Sequence, residues 1–162
     1  MVDDGGRVFE DWYASSYGRV HRAVSLAIGD ADLAEEATAE AFARALVHWR
    51  SVRKADRPDA WVYRVALNEV RSRWRRSRTE ARWLARQRLG TVPAPTEPSS
   101  ELWRAVTQLA PRARTAIALR YVADLSEAEI AAAMGITRGT VAATLHKARA
   151  RLAELLTMEE SS

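Results

Sequence analysis

LSEAEIAAAMGITRGTVAATLHKARARL, residues 125–152, specifies its local architecture more fully than any other segment of the chain. Ser126 and Glu129 stand at the S-x-x-E spacing in which each side chain satisfies a backbone N–H of the other, and Leu125 and Ile130 flank them as a hydrophobic staple. Gly135 can adopt the left-handed conformation that ends a helix, and Thr137 can cap the next one. Val141, Leu145, Ala148 and Leu152 then recur at helical spacing, which turns one face of the second helix inward. Arg138, His146, Lys147, Arg149 and Arg151 fall largely on other faces, within reach of phosphates. The pattern predicts a helix-turn-helix. A purely structural helical hairpin would carry the same caps and seam, but it has no need of a basic outer face, so DNA binding is the preferred expectation.

Working outward, the 162 residues are enough for one domain or two small ones with a real core. Cysteine is absent, which excludes disulfides, thiolate metal sites and cysteine nucleophiles. Only His21, His48 and His146 offer imidazole, and no two lie at i, i+4 spacing. The start lacks the apolar core of a signal sequence and no run approaches a membrane span, so a cytoplasmic protein without membrane association is expected. The net charge of +4 hides a segregation. Residues 1–49 hold 4 basic and 9 acidic side chains, residues 50–88 hold 13 and 4, and residues 89–162 hold 8 of each. A basic middle block with a net +9 points to a polyanion, and nucleic acid is the commonest one in the cytoplasm.

The segment from Gln87 to Ser100, QRLGTVPAPTEPSS, has three prolines and no apolar bulk, and reads as an extended flexible linker. No alternating apolar pattern appears elsewhere, so the fold class is all-α: two small helical domains, at 1–86 and 101–158, joined by a linker at 87–100. In the first, a helix over about 8–28 carries Phe9, Trp12, Tyr13, Val20, Val24 and Ala27 on one side. Asp32 with Glu35 gives a second capping signature for a helix reaching about Trp49, with Leu33, Ala37, Ala41, Phe42 and Ala45 inward. Arg50 to Asp59 reads as a loop, and a long helix runs from Ala60 to about Arg86 on a seam of Val62, Val65, Ala66 and Val70. In the second domain, Leu102, Val106 and Leu109 mark a short helix stopped by Pro111. Arg112 to Ala123 marks another, with Ala113, Ile117 and Tyr121 inward.

On the long helix Trp61, Arg64, Asn68, Arg71, Arg75, Arg78 and Arg82 fall three or four residues apart, in one stripe. Such a row suits a strand being separated from its partner: arginines hold phosphates while Trp61 and Tyr63 stack on an unpaired base. Packing of Trp61 against its own domain is the competing role. On the preceding helix Glu35, Glu36, Glu40 and Arg44 lie off the apolar seam, and spacing alone makes Glu40–Arg44 an ordinary intrahelical pair. There is no phosphate-binding Gly-rich loop, metal-ligand spacing or nucleophile motif, so no enzyme activity, cofactor or metal is expected.

Three stretches carry a family resemblance. DLAEEATAEAFARA (32–45) is similar to the polymerase-binding helix of the extracytoplasmic-function group of sigma-70-type RNA polymerase sigma factors. AWVYRVALN (60–68), with the arginine run behind it, resembles that family's promoter-melting regions, and residues 125–152 resemble its minus-thirty-five-binding region. Together with the linker they span nearly the whole chain. The resemblance implies a sigma2-like domain of three to four helices and a sigma4-like domain of four. It implies core RNA polymerase and promoter DNA as partners, with an anti-sigma factor a further one. Glu35, Glu36, Glu40 and Arg44 would meet the polymerase. Arg53, Lys54, Arg57, Trp61, Tyr63, Arg64, Asn68, Arg71 and Arg75 would engage and melt the minus-ten element. Arg138, Thr140, Ala142, Ala143, His146, Lys147 and Arg149 would engage the minus-thirty-five element. Two departures stand out: Ala39 replaces the usual glutamine, and Ala142-Ala143-Thr144 replaces the usual Lys-Ser-Arg. Alanines offer methyl contacts to thymine and no hydrogen bonds, so a weak or unusual minus-thirty-five readout is expected, with phosphate contacts supplying much of the affinity. The alternatives are an ordinary helix-turn-helix regulator and a helical protein-interaction module without DNA binding. The first normally has an α/β domain upstream, and the second has no need of the basic block.

Overall fold

The structure is a computed structural model that describes residues 4–76 and 100–161, and all its regular structure is helical. The N-terminal group comprises α1 (Asp4–Ile28), α2 (Ala31–Val47), α3 (Trp49–Val52) and α4 (Pro58–Arg76). The C-terminal group comprises α5 (Ser100–Thr107), α6 (Pro111–Tyr121), α7 (Glu127–Met134) and α8 (Arg138–Glu160). Residues 87–99 of the expected linker, the far end of the long helix, Arg78 and Arg82 lie outside the described residues, while Ser100, placed in the linker by sequence, opens α5.

α2 packs between α1 and α4, and its seam explains how closely. Ala34, Ala37, Ala41 and Ala45 are fully buried, so side chains of one carbon let the neighbouring helices approach, while Phe42 fills the space beside them. The seam on α4 is Val62, Tyr63, Ala66, Leu67 and Val70, with Val65 only half-buried. Aromatic rings tie α1 to the start of α3: Trp12 stacks on Trp49 at 4.9 Å between centroids and meets Phe42 at 5.2 Å, and Phe9 meets Trp49 edge-on at 5.2 Å. Burying groups of this size contributes about 1.5–3 kcal/mol each. Tyr13, expected inward, is 40% exposed, although its ring also meets those of Phe9, Tyr17 and Phe42.

Several boundaries differ from expectation for local reasons. Asp30, not Asp32, caps α2, accepting from the backbone N–H of Leu33 at 3.0 Å. The expected loop at 50–59 is confined to residues 53–57, since Trp49 and Val52 bury and wind residues 49–52 into a short helix. Pro58 then starts α4, where a proline's missing N–H costs nothing. Pro111 does the same for α6, while the helix before it, expected to be stopped by that proline, has already ended at Thr107. Tyr121, expected inward, is 55% exposed.

In the C-terminal group the helix-turn-helix forms as its sequence specifies. Ser126 and Glu129 make the reciprocal capping box, Leu125 and Ile130 are fully buried, Gly135 sits at φ 67°, and the Thr137 hydroxyl accepts from the Thr140 N–H. Val141, Leu145, Ala148 and Leu152 are buried against α6 and α7. The two groups also touch one another: α1 packs on α6, and α4 packs on α7.

Candidate nucleic-acid interface

The head of α4 is fixed from beneath. Asp59 in its first turn is buried, accepting from the Trp12 Nε1–H at 2.8 Å, the Ser16 hydroxyl at 3.3 Å and the Arg19 guanidinium. Tyr63, one turn on, is fully enclosed; burial first, and then the Asp59 carboxylate, push its phenol well above the usual range. A side chain so enclosed does not stack on a base, which corrects the expectation for Tyr63. Its ring instead holds α4 in place. Trp61 is half-buried against the core, leaving part of the ring open, so the packing role is realised for it at least in part.

Beyond that head, Arg64, Asn68 and Arg75 are exposed on one flank, and neither Arg64 nor Arg75 has an ion pair among the described residues. Arg71 shares the flank but is engaged. Its Nη2 donates to Ala133 O at 2.7 Å and to Asn68 Oδ1 at 2.9 Å, its Nε to Leu67 O at 3.3 Å, and its Nη1 to Met134 O. Burial, with the neighbouring Arg75 charge, pulls its pKa below the ordinary guanidinium value. In the turn before α4, Arg53 and Lys54 are exposed. Arg57 is held: Nη1 donates to Asp124 O at 2.6 Å and to Glu129 Oε1 at 3.2 Å, and Nη2 to Ala123 O at 3.3 Å.

The opposite flank of α4 meets α2 through an ion cluster centred on Glu69. Its carboxylate pairs with Arg44 at 3.0 Å, Arg73 at 3.1 Å and Arg76 at 3.6 Å, and Arg73 also reaches Glu36. Hydrogen bonding from Arg73 holds the Glu69 pKa below its usual value against the opposing effect of burial. The intrahelical Glu40–Arg44 pair forms at 2.9 Å as spacing predicts, but Arg44 is shared with Glu69. Glu36, Glu40, Arg44 and Val47 make one stripe of α2, and Glu35 is exposed beside it. Val47 is 79% and Leu46 54% exposed, a small apolar end to a charged stripe.

On α8 the outer face is open. Arg138, Ala142, Ala143, His146, Lys147, Arg149 and Arg151 are exposed, and Thr140 is half-buried in the capping turn. Arg149 is oriented by Tyr121, whose hydroxyl accepts from Nε at 2.6 Å while the guanidinium lies 5.6 Å from the ring centroid. The exposure of Tyr121 thus has a use that a core assignment missed.

Sequence reasoning also overlooked Asp59, Glu69, Arg73, Arg114 and the Leu46–Val47 end. Glu69 with Arg73 was visible as an i, i+4 pair, and Asp59 as a first-turn acid. The long-range partners of Arg57, Arg71 and Arg114 had no local signal.

Comparison with known proteins fits this geometry. Residues 12–80 match the family model for sigma-70 region 2, and residues 99–152 match that for sigma-70 region 4. The chain is 31% identical to the RNA polymerase sigma-E factor of Streptomyces coelicolor, over 91% of this chain and 85% of that one. It is 30% identical to the ECF RNA polymerase sigma factor SigW of Bacillus subtilis, over 80% of this chain and 78% of that one. Among solved structures, the sigma factor RpoE in complex with the anti-sigma factor NepR from Bartonella quintana superposes with a TM-score of 0.77 at 21% identity, covering 93% of this chain and 98% of that one.

Proposed function

We infer the working parts of this chain from its family: it belongs to the RNA polymerase sigma factors, in the extracytoplasmic-function group. As such it is a transcription-initiation factor that directs core polymerase to promoters. The matches to regions 2 and 4, in order along one chain, set aside both the ordinary regulator and the DNA-free interaction module.

We propose the following division of labour. The acidic stripe of α2 (Glu35, Glu36, Glu40, with Arg44) docks on core polymerase, and exposed Leu46 and Val47 extend that contact. Arg53, Lys54 and Arg57 lie against the minus-ten element, and Trp61, Arg64, Asn68, Arg71 and Arg75 hold the parted strands. Their support is the single flank they share on α4. On α8, Arg138, Lys147 and Arg149 bind phosphates, while Thr140, Ala142, Ala143 and His146 face base edges. Exposed alanines at the centre of that face favour a readout built on backbone contacts. The domains end at 86 and begin again at 101, with 87–100 as linker. It acts without enzymatic chemistry of its own and works in the cytoplasm; no described helix is long and apolar enough to cross a membrane. An anti-sigma protein is a further partner, a class of protein that the Bartonella sigma factor of the same fold is seen in complex with.

The carrying observation is the pair of exposed basic helices, α4 and α8, one in each matched region. Adding the chain to purified core polymerase on a genomic promoter library should produce initiation at a defined set of sites. Initiation no better than core alone would overturn the assignment.

A further inference from the structure

Among the described residues, two helix ends and one turn are closed by arginines from the other half of the chain. α1 ends at Gly29, φ 68°, and its terminal carbonyl at Ala27 accepts from Arg114 Nε at 3.1 Å and the Thr115 hydroxyl at 3.2 Å, both on α6. α7 ends at Gly135, and its last carbonyls, Ala133 and Met134, accept from Arg71 of α4. The turn after α6 places Asp124 at φ 55°, an unusual conformation for a residue with a Cβ, and its carbonyl and that of Ala123 accept from Arg57. Unsatisfied carbonyls at a helix C-terminus carry the negative end of the macrodipole, so the ends of α1 and α7 are small anionic sites. Glu129 adds a full charge beside Arg57.

We propose that the turn after α6, with Glu129, and the end of α7 form a phosphate-mimicking surface that binds Arg57 and Arg71 when DNA is absent. Closure of the two halves and grip on promoter DNA then compete for the same guanidinium groups. This rests on the reading of those two arginines as DNA ligands. The contact is built to separate. Its polar part is carbonyl and carboxylate oxygens, which phosphates can replace one for one. Its apolar part, between Leu67, Val70, Trp74, Met134 and Ile136, leaves a cleft of about 210 Å3. Contacts of this kind between domains permit relative motion. Burial lowers the pKa of both Arg71 and Arg114, so each cation is partly stripped of water while closed.

Arg114 distinguishes the lock from the ligands, because it closes α1 but belongs to neither basic face. The chain has no cysteine, so spin labels on Ala43→Cys and Ala153→Cys, both exposed and in different halves, report the separation of the full-length chain directly. The free chain should give one narrow distance, and heparin, as a polyanion probe, should broaden it. Arg114→Gln, or Thr115→Val should that variant fold poorly, should broaden the distance without heparin and tighten heparin binding about three- to tenfold, as a closed fraction is released. Arg71→Gln should broaden the distance equally yet bind heparin more weakly. A broad distance in the unsubstituted free chain, or an Arg114→Gln chain unchanged in both readouts, would overturn the proposal. A narrow distance with heparin affinity insensitive to Arg71 would instead overturn the DNA role of that arginine and leave the closure standing.

Discussion

α4 and α8 carry the two basic faces of the chain, and they differ in what already occupies them. On α8, Arg138, His146 and Lys147 stand in solvent with no ion pair among the described residues. On α4 most cations are engaged: Arg73 and Arg76 by Glu69, and Arg71 by the end of α7. Arg64 and Arg75 remain open to solvent. A row of arginines at helical spacing therefore does not measure capacity for phosphate. What matters is which of them must leave a partner first.

That contrast can be broken by charge. Reversing two open cations on α8, Arg138→Glu with Lys147→Glu, should lower affinity for a mapped promoter about 100-fold at low salt, roughly tenfold for each lost phosphate contact. Arg73→Ala, which removes a cation already paired with Glu69 and Glu36, should change it by less than about twofold. Fluorescence anisotropy reads both, and comparable losses would erase the distinction between occupied and open cations.

A smaller effect sharpens the occupied side. Glu69→Gln leaves Arg44, Arg73 and Arg76 without their shared carboxylate and should destabilise the fold by about 1–2 kcal/mol in urea denaturation. Because the folded-state pKa of Glu69 is depressed, its contribution is full above the unfolded value near 4.5 and disappears as pH falls through the lower folded value. The substituted chain should accordingly lose less stability than the original on acidification below pH ~4.5. Parallel pH profiles would remove Glu69 as the hub.

Least of all, Tyr121→Phe takes away the hydroxyl that orients Arg149 and should weaken promoter binding roughly twofold while leaving the ring contact in place. Full retention of affinity would mean that Arg149 finds its phosphate without guidance.

The helix-turn-helix was legible because its determinants are local. A capping box and a left-handed glycine act within one or two turns and the four-residue apolar seam within about three, and all formed as written. Region boundaries around α3 and α4 were less legible, since burial of Trp49 and Val52 against distant residues decides that residues 49–52 wind. Tyr63 and Tyr121 exchanged roles for a related reason. Periodicity places a ring on a face, but only the neighbouring helices decide whether that face is covered. For the candidate site, spacing identified the flank of Arg64, Asn68, Arg71 and Arg75. It had no means of finding that Ala133 and Met134, over sixty residues away, supply the acceptors for Arg71.

The claim on which most depends is that the exposed flank of α4 holds parted promoter DNA. Permanganate footprinting of polymerase bearing Arg71→Glu with Arg75→Glu, on a promoter mapped with the original chain, tests it directly. The account predicts loss of thymine reactivity across the minus-ten region while the substituted chain still binds core polymerase. Undiminished reactivity in that complex would contradict it.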